Sequence, residues 1–325
     1  MKLTVYENGI VKAEPSEKPE AKDGFSLFRV KACGICGSDL PRVFANSSYY
    51  YPIVLGHEFA GIVEDSKNPD LIGKRACVFP ILPCGECAFC QRGQWANCVQ
   101  YDYYGSRRDG GMQDYLLVKD QNLVFLPDNV SYEAGSMVEP MAVCLHAVRK
   151  TGIERGMTVA VWGAGTIGLL VAMWAKALGA ERILLSDPDA RRMAFAESLG
   201  FAALGDETPD VAIEASGAPA ALNAAIGAVR TFGRVVLVGN TGGDVTIARA
   251  TYSQILRKQL TLCGSWNSDF RADSNDWKDA IDAIAKGMIS PERLITHRFP
   301  LKRGDEAFRL IGERREFYNK ITVVM

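Results

Sequence analysis

The sequence lacks the features that direct a protein to a membrane or to nucleic acid. No apolar run approaches the ~20 residues that a membrane-spanning helix needs. The formal net charge is −1, so there is no basic field to attract nucleic acid or an acidic membrane surface. The N-terminal stretch MKLTVYENGIVKAEP has no apolar signal core. We therefore expect a cytoplasmic protein with neither nucleic acid nor a membrane as a partner.

Internal repeats and low-complexity segments are also missing, and the composition is that of an ordinary globular protein. Hydrophobic residues make up 48% of the chain and charged residues 23%. A length of 325 residues favours two lobes over one compact domain. In a reducing compartment, the nine cysteines indicate metal binding or buried thiols rather than disulfides.

The residue pattern changes near position 138. Residues 1–138 contain short stretches rich in β-formers and separated by Gly, Pro, Asn and Asp, among them FSLFRVKAC, AGIVED and DYLLVKDQNLVFLP. Residues 139–280 alternate buried strands with helices, which predicts a doubly wound parallel sheet covered on both faces. Residues 281–325 return to mixed character, and we expect them to fold back onto the first lobe.

The segment GAGTIG, from Gly163 to Gly168, follows a β-rich apolar strand and opens a helix. Gly163 permits a tight turn, Gly165 leaves room for a pyrophosphate, and Gly168 allows close packing of helix on strand. The helix N-terminus, with Thr166 and Ile167, presents free N–H groups to phosphates. This context predicts a dinucleotide site rather than a glycine-rich structural turn.

The acid at the end of the next strand, Asp187, stands where a carboxylate accepts a hydrogen bond from the ribose 2′-hydroxyl. A carboxylate there repels a 2′-phosphate, so NAD is predicted in preference to NADP. Arg191 and Arg192 follow directly and weaken that preference. Arg192 is a further predicted cofactor contact.

The loop CGECAFCQRGQWANC carries four cysteines, and two CxxC steps bring three of their thiols together. A closed set of four thiolates suits a structural zinc ion. An iron–sulfur cluster is the main alternative, but its bacterial motif has a shorter last gap followed by proline. Unligated thiols are the third possibility. The four predicted zinc ligands are Cys84, Cys87, Cys90 and Cys98.

A second metal set is distributed more widely along the chain. Cys36, His57 and Glu139 would supply a thiolate, an imidazole and a carboxylate, which leaves one position open on a catalytic zinc ion. Adding Glu58 would make the site negative, so we expect Glu58 to be an intermittent ligand or a neighbour of the ligands. The alternative is a solvated loop next to a buried thiol.

The segments CGICGSD, GHEFAG, VEP and GAGTIG, with the four-cysteine loop, occur in the order found in zinc-containing medium-chain alcohol and polyol dehydrogenases, and the chain resembles that family over nearly its whole length. The stretches YYYPIVLGHEFAG, YDYYGSRRDGGMQDY and QILRKQLTLCGSW resemble members that act on polyol phosphates. The resemblance implies an NAD-dependent oxidoreductase that oxidises a secondary alcohol of a polyol phosphate.

The resemblance also implies a GroES-like β-rich catalytic domain, a Rossmann domain and a homodimer or homotetramer. It assigns Cys36, His57 and Glu139 to the catalytic zinc and the four-cysteine loop to the structural zinc. Ser38 matches the hydroxyl that relays the substrate proton. Unphosphorylated polyols and threonine remain alternative substrates, and a non-catalytic nucleotide-binding protein is the alternative outside the enzymes.

Two departures from the family pattern stand out. Many relatives have a histidine shortly after CGSD that passes the proton to solvent, whereas this chain has Leu40-Pro41-Arg42. The segment FAALGDETPDVAIEASG is too short for the helix that relatives place between two Rossmann strands.

Substrate contacts are the least determined part of the sequence. Arg107 and Arg108 lie in the turn GSRRDGG, where two arginines could bind a phosphate or simply face solvent. Two further candidate substrate contacts are Tyr50, one of three adjacent tyrosines near the predicted catalytic zinc ligands, and Trp266, in the second half of the chain.

Overall fold

The computed structural model describes residues 1–271 and 274–325, which form two compact units. Unit 1 comprises Met1–Glu139 and Asp269–Met325, and unit 2 comprises Pro140–Ser268. The sequence-based division ends the nucleotide-binding domain at residue 280. In the structure, unit 2 ends at Ser268, and the described residues 269–271 and 274–280 belong to unit 1.

Strands occur in both units and are numbered along the chain. Within the described residues they are β1 (Lys2–Val5), β2 (Val11–Glu14), β3 (Phe25–Gly34), β4 (Ile53–Val54), β5 (Glu58–Asp65), β6 (Arg75–Val78), β7 (Ile81–Leu82), β8 (Asp102–Tyr103), β9 (Tyr115–Lys119), β10 (Leu123–Phe125), β11 (Thr158–Trp162), β12 (Arg182–Ser186), β13 (Ala202–Ala203), β14 (Val211–Glu214), β15 (Arg234–Leu237), β16 (Thr261–Gly264), β17 (Ile295–Pro300) and β18 (Lys320–Val324).

The α-helices of the described residues connect and cover these strands. They are α1 (Leu40–Phe44), α2 (Ala88–Gln91), α3 (Tyr132–Ser136), α4 (Val138–Arg149), α5 (Thr166–Ala177), α6 (Ala190–Ser198), α7 (Pro219–Ala228), α8 (Arg249–Arg257), α9 (Asp276–Ala285) and α10 (Gly304–Glu313). Every helix in residues 1–271 and 274–325 is too short or too polar to cross a lipid bilayer.

Unit 1 is built on a largely antiparallel sheet with the strand order β10-β6-β5-β3-β18-β17, and β9 also pairs with β3. The C-terminal strand β18 pairs antiparallel with β3, and β17 lies parallel beside β18. These pairings place the C-terminal strands in the sheet of unit 1. Alternate side chains of these strands form a core that includes Phe28, Phe59 and Val323.

Unit 2 is a parallel sheet with the order β13-β12-β11-β14-β15-β16. The chain reverses its direction of winding between β11 and β14, and ligands bind beyond the carboxyl ends of strands at such a point. This confirms the predicted doubly wound fold. The short connection is also confirmed, since residues 204–210, all of them described, join β13 to β14 without a helix.

An aromatic cluster packs Phe270 and Trp277 within unit 1. The Phe270 ring stacks on Phe79 with centroids 4.5 Å apart, and Trp277 meets Phe79 edge-on at 5.4 Å. Trp95, from the four-cysteine loop, lies 5.6 Å from Phe270. Such pairs add to the hydrophobic gain from burying the rings. The sequence pattern of alternating strands and helices carries no signal of this packing.

Candidate active site and metal centres

Strand pairing assembles the first metal-ligand group. Gly34, at the end of β3, lies opposite Glu58, at the start of β5. Cys36 follows two residues after β3, and His57 directly precedes β5, so the antiparallel register brings their side chains to the same end of the sheet. The ligand atoms of Cys36, His57 and Glu58 all lie within 4.8 Å of one another.

The residues present fit a zinc ion. A thiol, an imidazole and a carboxylate are common zinc ligands, and three protein ligands leave a position for substrate. His57 and Glu58 are buried, and Cys36 is half-buried. Three converging donors of these types form a compact set that a bound cation would stabilise.

The two glutamates of the predicted catalytic set lie in different surroundings. Glu58 lies in the group, whereas Glu139, predicted as the third ligand, lies outside it at the start of α4 and accepts a hydrogen bond from the Tyr103 hydroxyl at 3.4 Å. Burial raises the pKa of Glu139 to about 7, although the charge of His57 opposes that shift.

A buried lysine explains why Glu58 is acceptable in the group. Lys320, on β18, forms an ion pair with Glu58, and its Nζ also donates to the carbonyl of Ile35 at 3.0 Å. Burial lowers the pKa of Lys320, but Glu58, Cys36 and Glu139 together raise it overall. Without this lysine, Glu58 would add excess negative charge to the group. No local signal in the sequence pairs it with a lysine so distant in the chain.

Asp39 is a second residue that the sequence analysis missed. Its fully buried carboxylate accepts a hydrogen bond from the Cys36 backbone N–H at 3.0 Å and faces Nδ1 of His57 at 3.5 Å. Burial lowers the pKa of His57, but Asp39 and Cys36 raise it well above its usual value. A carboxylate on one ring nitrogen orients the imidazole and leaves the other nitrogen for a metal. The adjacent CGSD motif was the available signal.

The four-cysteine loop forms the second metal-ligand group, as predicted from its spacing. The Sγ atoms of Cys84, Cys87, Cys90 and Cys98 lie within 4.8 Å of one another. Backbone N–H groups point at the sulfurs, for example from Cys84 to Cys98 Sγ at 3.3 Å. Backbone donors lower the pKa of Cys87 to about 6. Four converging thiols fit a closed tetrahedral zinc site.

The predicted nucleotide loop follows β11 in unit 2. Gly163 has φ +102°, a left-handed conformation that other residues rarely adopt, and a Cβ on Gly168 would overlap the Gly163 carbonyl oxygen. A Cβ on Gly165 would meet only the Arg192 guanidinium, at 3.9 Å. The loop therefore has the tight turn at Gly163, the close helix–strand packing at Gly168 and the open face at Gly165 that a pyrophosphate site needs. Thr166 and Ile167 open helix α5.

Asp187, just beyond β12, lies against this loop. Its Oδ2 accepts the Ala164 N–H at 2.8 Å, and its Oδ1 accepts the Asp189 N–H at 2.9 Å. The Arg192 guanidinium approaches the same carboxylate at 3.5 Å. These contacts hold Asp187 beside the turn. Its oxygens have further lone pairs, so the carboxylate can also accept a hydrogen bond from a ribose hydroxyl.

The predicted substrate residues occupy different environments. The Tyr50 hydroxyl donates to Asp109 at 3.4 Å, and burial raises its pKa to about 12. Arg108 forms an ion pair with Asp102 at 2.8 Å. Arg107 lies against aromatic rings in unit 1, and Trp266 is exposed in unit 2.

Comparisons with known proteins agree with this arrangement. The sequence model described as "Alcohol dehydrogenase GroES-like domain" matches residues 22–128, and the one described as "Zinc-binding dehydrogenase" matches residues 166–286. Galactitol 1-phosphate 5-dehydrogenase of Escherichia coli strain K12 is 34% identical, with 94% of each chain covered. Sorbitol dehydrogenase of Bombyx mori is 33% identical, with 92% of each chain covered.

Solved structures show the same relationship. A crystal structure of galactitol-1-phosphate dehydrogenase from Escherichia coli has a TM-score of 0.92 at 33% identity, covering 100% of this chain and 99% of the other. A zinc-binding dehydrogenase from Sinorhizobium meliloti 1021 bound to NADP has a TM-score of 0.90 at 30% identity, covering 100% and 98%. The chain belongs to the zinc-dependent medium-chain alcohol and polyol dehydrogenases, oxidoreductases that combine a GroES-like domain with a Rossmann-type domain.

Proposed function

We propose that the protein oxidises a secondary alcohol of a polyol phosphate with NAD, and that its substrate is galactitol 1-phosphate, which gives tagatose 6-phosphate. The observation that carries the dehydrogenase chemistry is the grouping of Cys36, His57 and Glu58 within 4.8 Å. The choice of substrate is supported by the 34% identity to galactitol 1-phosphate 5-dehydrogenase.

The two cofactors supply chemistry that side chains lack. Cys36, His57 and Glu58 would hold a zinc ion, which would lower the pKa of a bound alcohol, and NAD would serve as the hydride acceptor. The protein orients both: Asp39 fixes the ring of His57, Lys320 balances the charge of Glu58, and the GAGTIG loop presents N–H groups to a pyrophosphate. The zinc of the four-cysteine loop would have a structural role, because a closed ligand set leaves no position for substrate.

Ser38 is the residue that would take up the substrate proton. Its hydroxyl lies 3.4 Å from Cys36 Sγ, and its side chain is exposed. An exposed hydroxyl exchanges protons directly with water, so the proton needs no histidine relay. A direct route to water is consistent with the stretch Leu40-Pro41-Arg42, which stands where many family members carry that histidine.

Of the alternatives, an unphosphorylated polyol has specific support. The 33% identity to a sorbitol dehydrogenase favours an unphosphorylated polyol as the second candidate substrate. A threonine-type activity rests on the shared zinc and nucleotide sites alone. A non-catalytic nucleotide-binding protein would not need a thiol, an imidazole and a carboxylate in one buried group, so the complete ligand set argues against it.

We predict two zinc ions per chain, measured by elemental analysis of protein purified without chelator. Cys36→Ser should retain one zinc, lose activity and keep its fold. Cys87→Ser should lose the structural zinc and at least about 3 kcal/mol of stability, which lowers the thermal midpoint by roughly 6–12 °C. Cys263→Ser, outside both groups, is the control and should retain both ions. Active protein with fewer than two zinc ions would contradict the assignment.

We predict a higher kcat/KM with NAD than with NADP, because Asp187 repels a 2′-phosphate. Asp187→Asn removes the charge but keeps the shape, and it should reduce the NAD:NADP preference by roughly 10- to 150-fold. Asp189→Asn is the matched control, since asparagine caps helix α6 as well as aspartate does. Equal values for the wild-type protein would show that Arg192 overrides the carboxylate.

We predict that a substrate panel read by NADH absorbance will give a higher kcat/KM for galactitol 1-phosphate than for galactitol, sorbitol or threonine. The panel should include the phosphorylated and free forms of each polyol at the same pH and zinc content. Preference for a free polyol would replace the proposal with a sorbitol-type dehydrogenase.

We also propose a homodimer that forms through unit 2. Strand β16 has β15 on one side and, among the described residues, no strand on the other. Tyr252 and Leu256, one turn apart on α8, are 56% and 62% exposed. An open strand edge beside exposed apolar side chains favours association with a second copy.

Light scattering during size-exclusion chromatography should then give twice the 35.5 kDa chain mass. Leu256→Lys should shift the protein toward monomer, because a charge in an apolar interface loses its solvation. Leu178→Lys, at another exposed apolar position of unit 2, is the control and should leave the mass unchanged. A wild-type mass of one chain would refute the dimer, and a mass of four chains would indicate the predicted homotetramer.

A further inference from the structure

The turn that follows the four-cysteine loop carries two adjacent arginines in different surroundings. The Arg108 Nε atom lies 2.8 Å from Asp102 Oδ2, so its charge is already paired. Its guanidinium also faces the Tyr104 ring at 5.5 Å. Arg108 therefore has a structural partner that accounts for its position.

Arg107 is held by aromatic rings instead of by an acid. Its guanidinium lies 4.1 Å from the Tyr101 ring centroid and 4.9 Å from that of Tyr49. Nη1 donates to the Tyr101 carbonyl at 2.8 Å, and Nη2 donates to the Tyr49 hydroxyl at 3.3 Å. Among the described residues no carboxylate forms an ion pair with it, so its charge is not neutralised.

The same rings connect Arg107 to the first metal-ligand group within unit 1. The Tyr101 ring lies 6.2 Å from Tyr103, and the Tyr103 ring lies 5.6 Å from His57. Arg107 thus lies at one end of a row of rings whose other end contacts a metal ligand. An unpaired cation at that position suits a substrate whose reacting hydroxyl and anionic group are at opposite ends.

We propose that Arg107 binds the terminal anionic group of the substrate, that Tyr49 positions its guanidinium, and that Arg108 takes no part. The proposal rests on the proposed polyol phosphate activity, in which the phosphate lies four carbons from the oxidised C5. A guanidinium has five N–H donors, and two of Arg107's are directed to Tyr101 and Tyr49. The other three are available, and a planar fork of donors matches phosphate or carboxylate oxygens.

Charge places the anion at this end. At the metal-ligand group the buried cation of Lys320 is already paired with Glu58, whereas Arg107 has no carboxylate partner among the described residues. The aromatic rings on either side of Arg107 cannot neutralise it, but they restrict the plane of its guanidinium. A restricted plane loses less conformational freedom when the anion binds.

The test compares Arg107→Ala, Arg108→Ala, Tyr49→Ala and Tyr49→Phe on galactitol 1-phosphate, galactonate and galactitol. Arg107→Ala should reduce the ratio of kcat/KM for galactitol 1-phosphate over galactitol by roughly 10- to 150-fold, mainly through KM. Tyr49→Ala should raise KM for the phosphate ester by about 2- to 5-fold with kcat unchanged. Tyr49→Phe keeps the ring and should stay closer to wild type than Tyr49→Ala, and Arg108→Ala should leave the ratio unchanged.

The galactonate arm distinguishes the two possible anions. A larger Arg107→Ala effect on galactonate than on galactitol 1-phosphate would assign the residue to a carboxylate, and the reverse would assign it to a phosphate. An unchanged substrate ratio in Arg107→Ala, with full zinc content and an unchanged thermal midpoint, overturns the proposal. If Arg108→Ala reduced that ratio as much as Arg107→Ala does, the claim that only Arg107 binds the anion would also be overturned.

Calorimetric binding of galactitol 1-phosphate separates this inference from the proposed function. If the wild type binds the ester without oxidising it, and Arg107→Ala weakens binding at least about tenfold, the inference stands and the proposed reaction fails. If the wild type oxidises the ester and Arg107→Ala behaves identically, the reaction stands and the inference fails. If the wild type does not bind the ester or galactonate, both fail.

Discussion

The buried ion pair between Glu58 and Lys320 is the interaction on which the first metal-ligand group depends. It joins β5 to β18 on either side of β3, and a Cβ on Gly34 would overlap atoms of both partners. Removing one member of a buried pair leaves an uncompensated charge at a cost of about 3–5 kcal/mol. The pair thus links the charge of Glu58 to the C-terminal strand β18.

The two metal-ligand groups differ in how they are assembled. The four-cysteine group comes from one loop, and its sulfurs receive backbone N–H donors from that same loop. The group around Cys36 needs the register of β3 and β5, the carboxylate of Asp39 and the cation of Lys320. A local group can hold a structural ion through its spacing alone. The dispersed group has three ligands and an exposed hydroxyl, Ser38, beside them, which is what chemistry on an alcohol requires.

Aromatic side chains have a larger role in unit 1 than the sequence indicates. One set packs Phe270 and Trp277 around Phe79, and Phe270 also contacts Trp95 of the four-cysteine loop, so these residues belong to unit 1. The other set runs from His57 to Arg107 and gives an unpaired cation a fixed orientation. Both sets include contacts between residues far apart in the chain, such as Phe79 with Phe270 and His57 with Tyr103. Residue spacing and periodicity do not predict such contacts.

Features that depend on residues close together in the chain could be predicted before any strand was paired. The cysteine spacing predicted the closed metal-ligand group, GAGTIG with Asp187 predicted the nucleotide loop, and the alternation of strands and helices predicted the doubly wound sheet. Two features became evident only from the folded chain: Glu58 rather than Glu139 joins the first ligand group, and Arg107 and Arg108 have different partners. The physical reason is that charge balance and ring packing depend on side chains that meet only after the strands have paired.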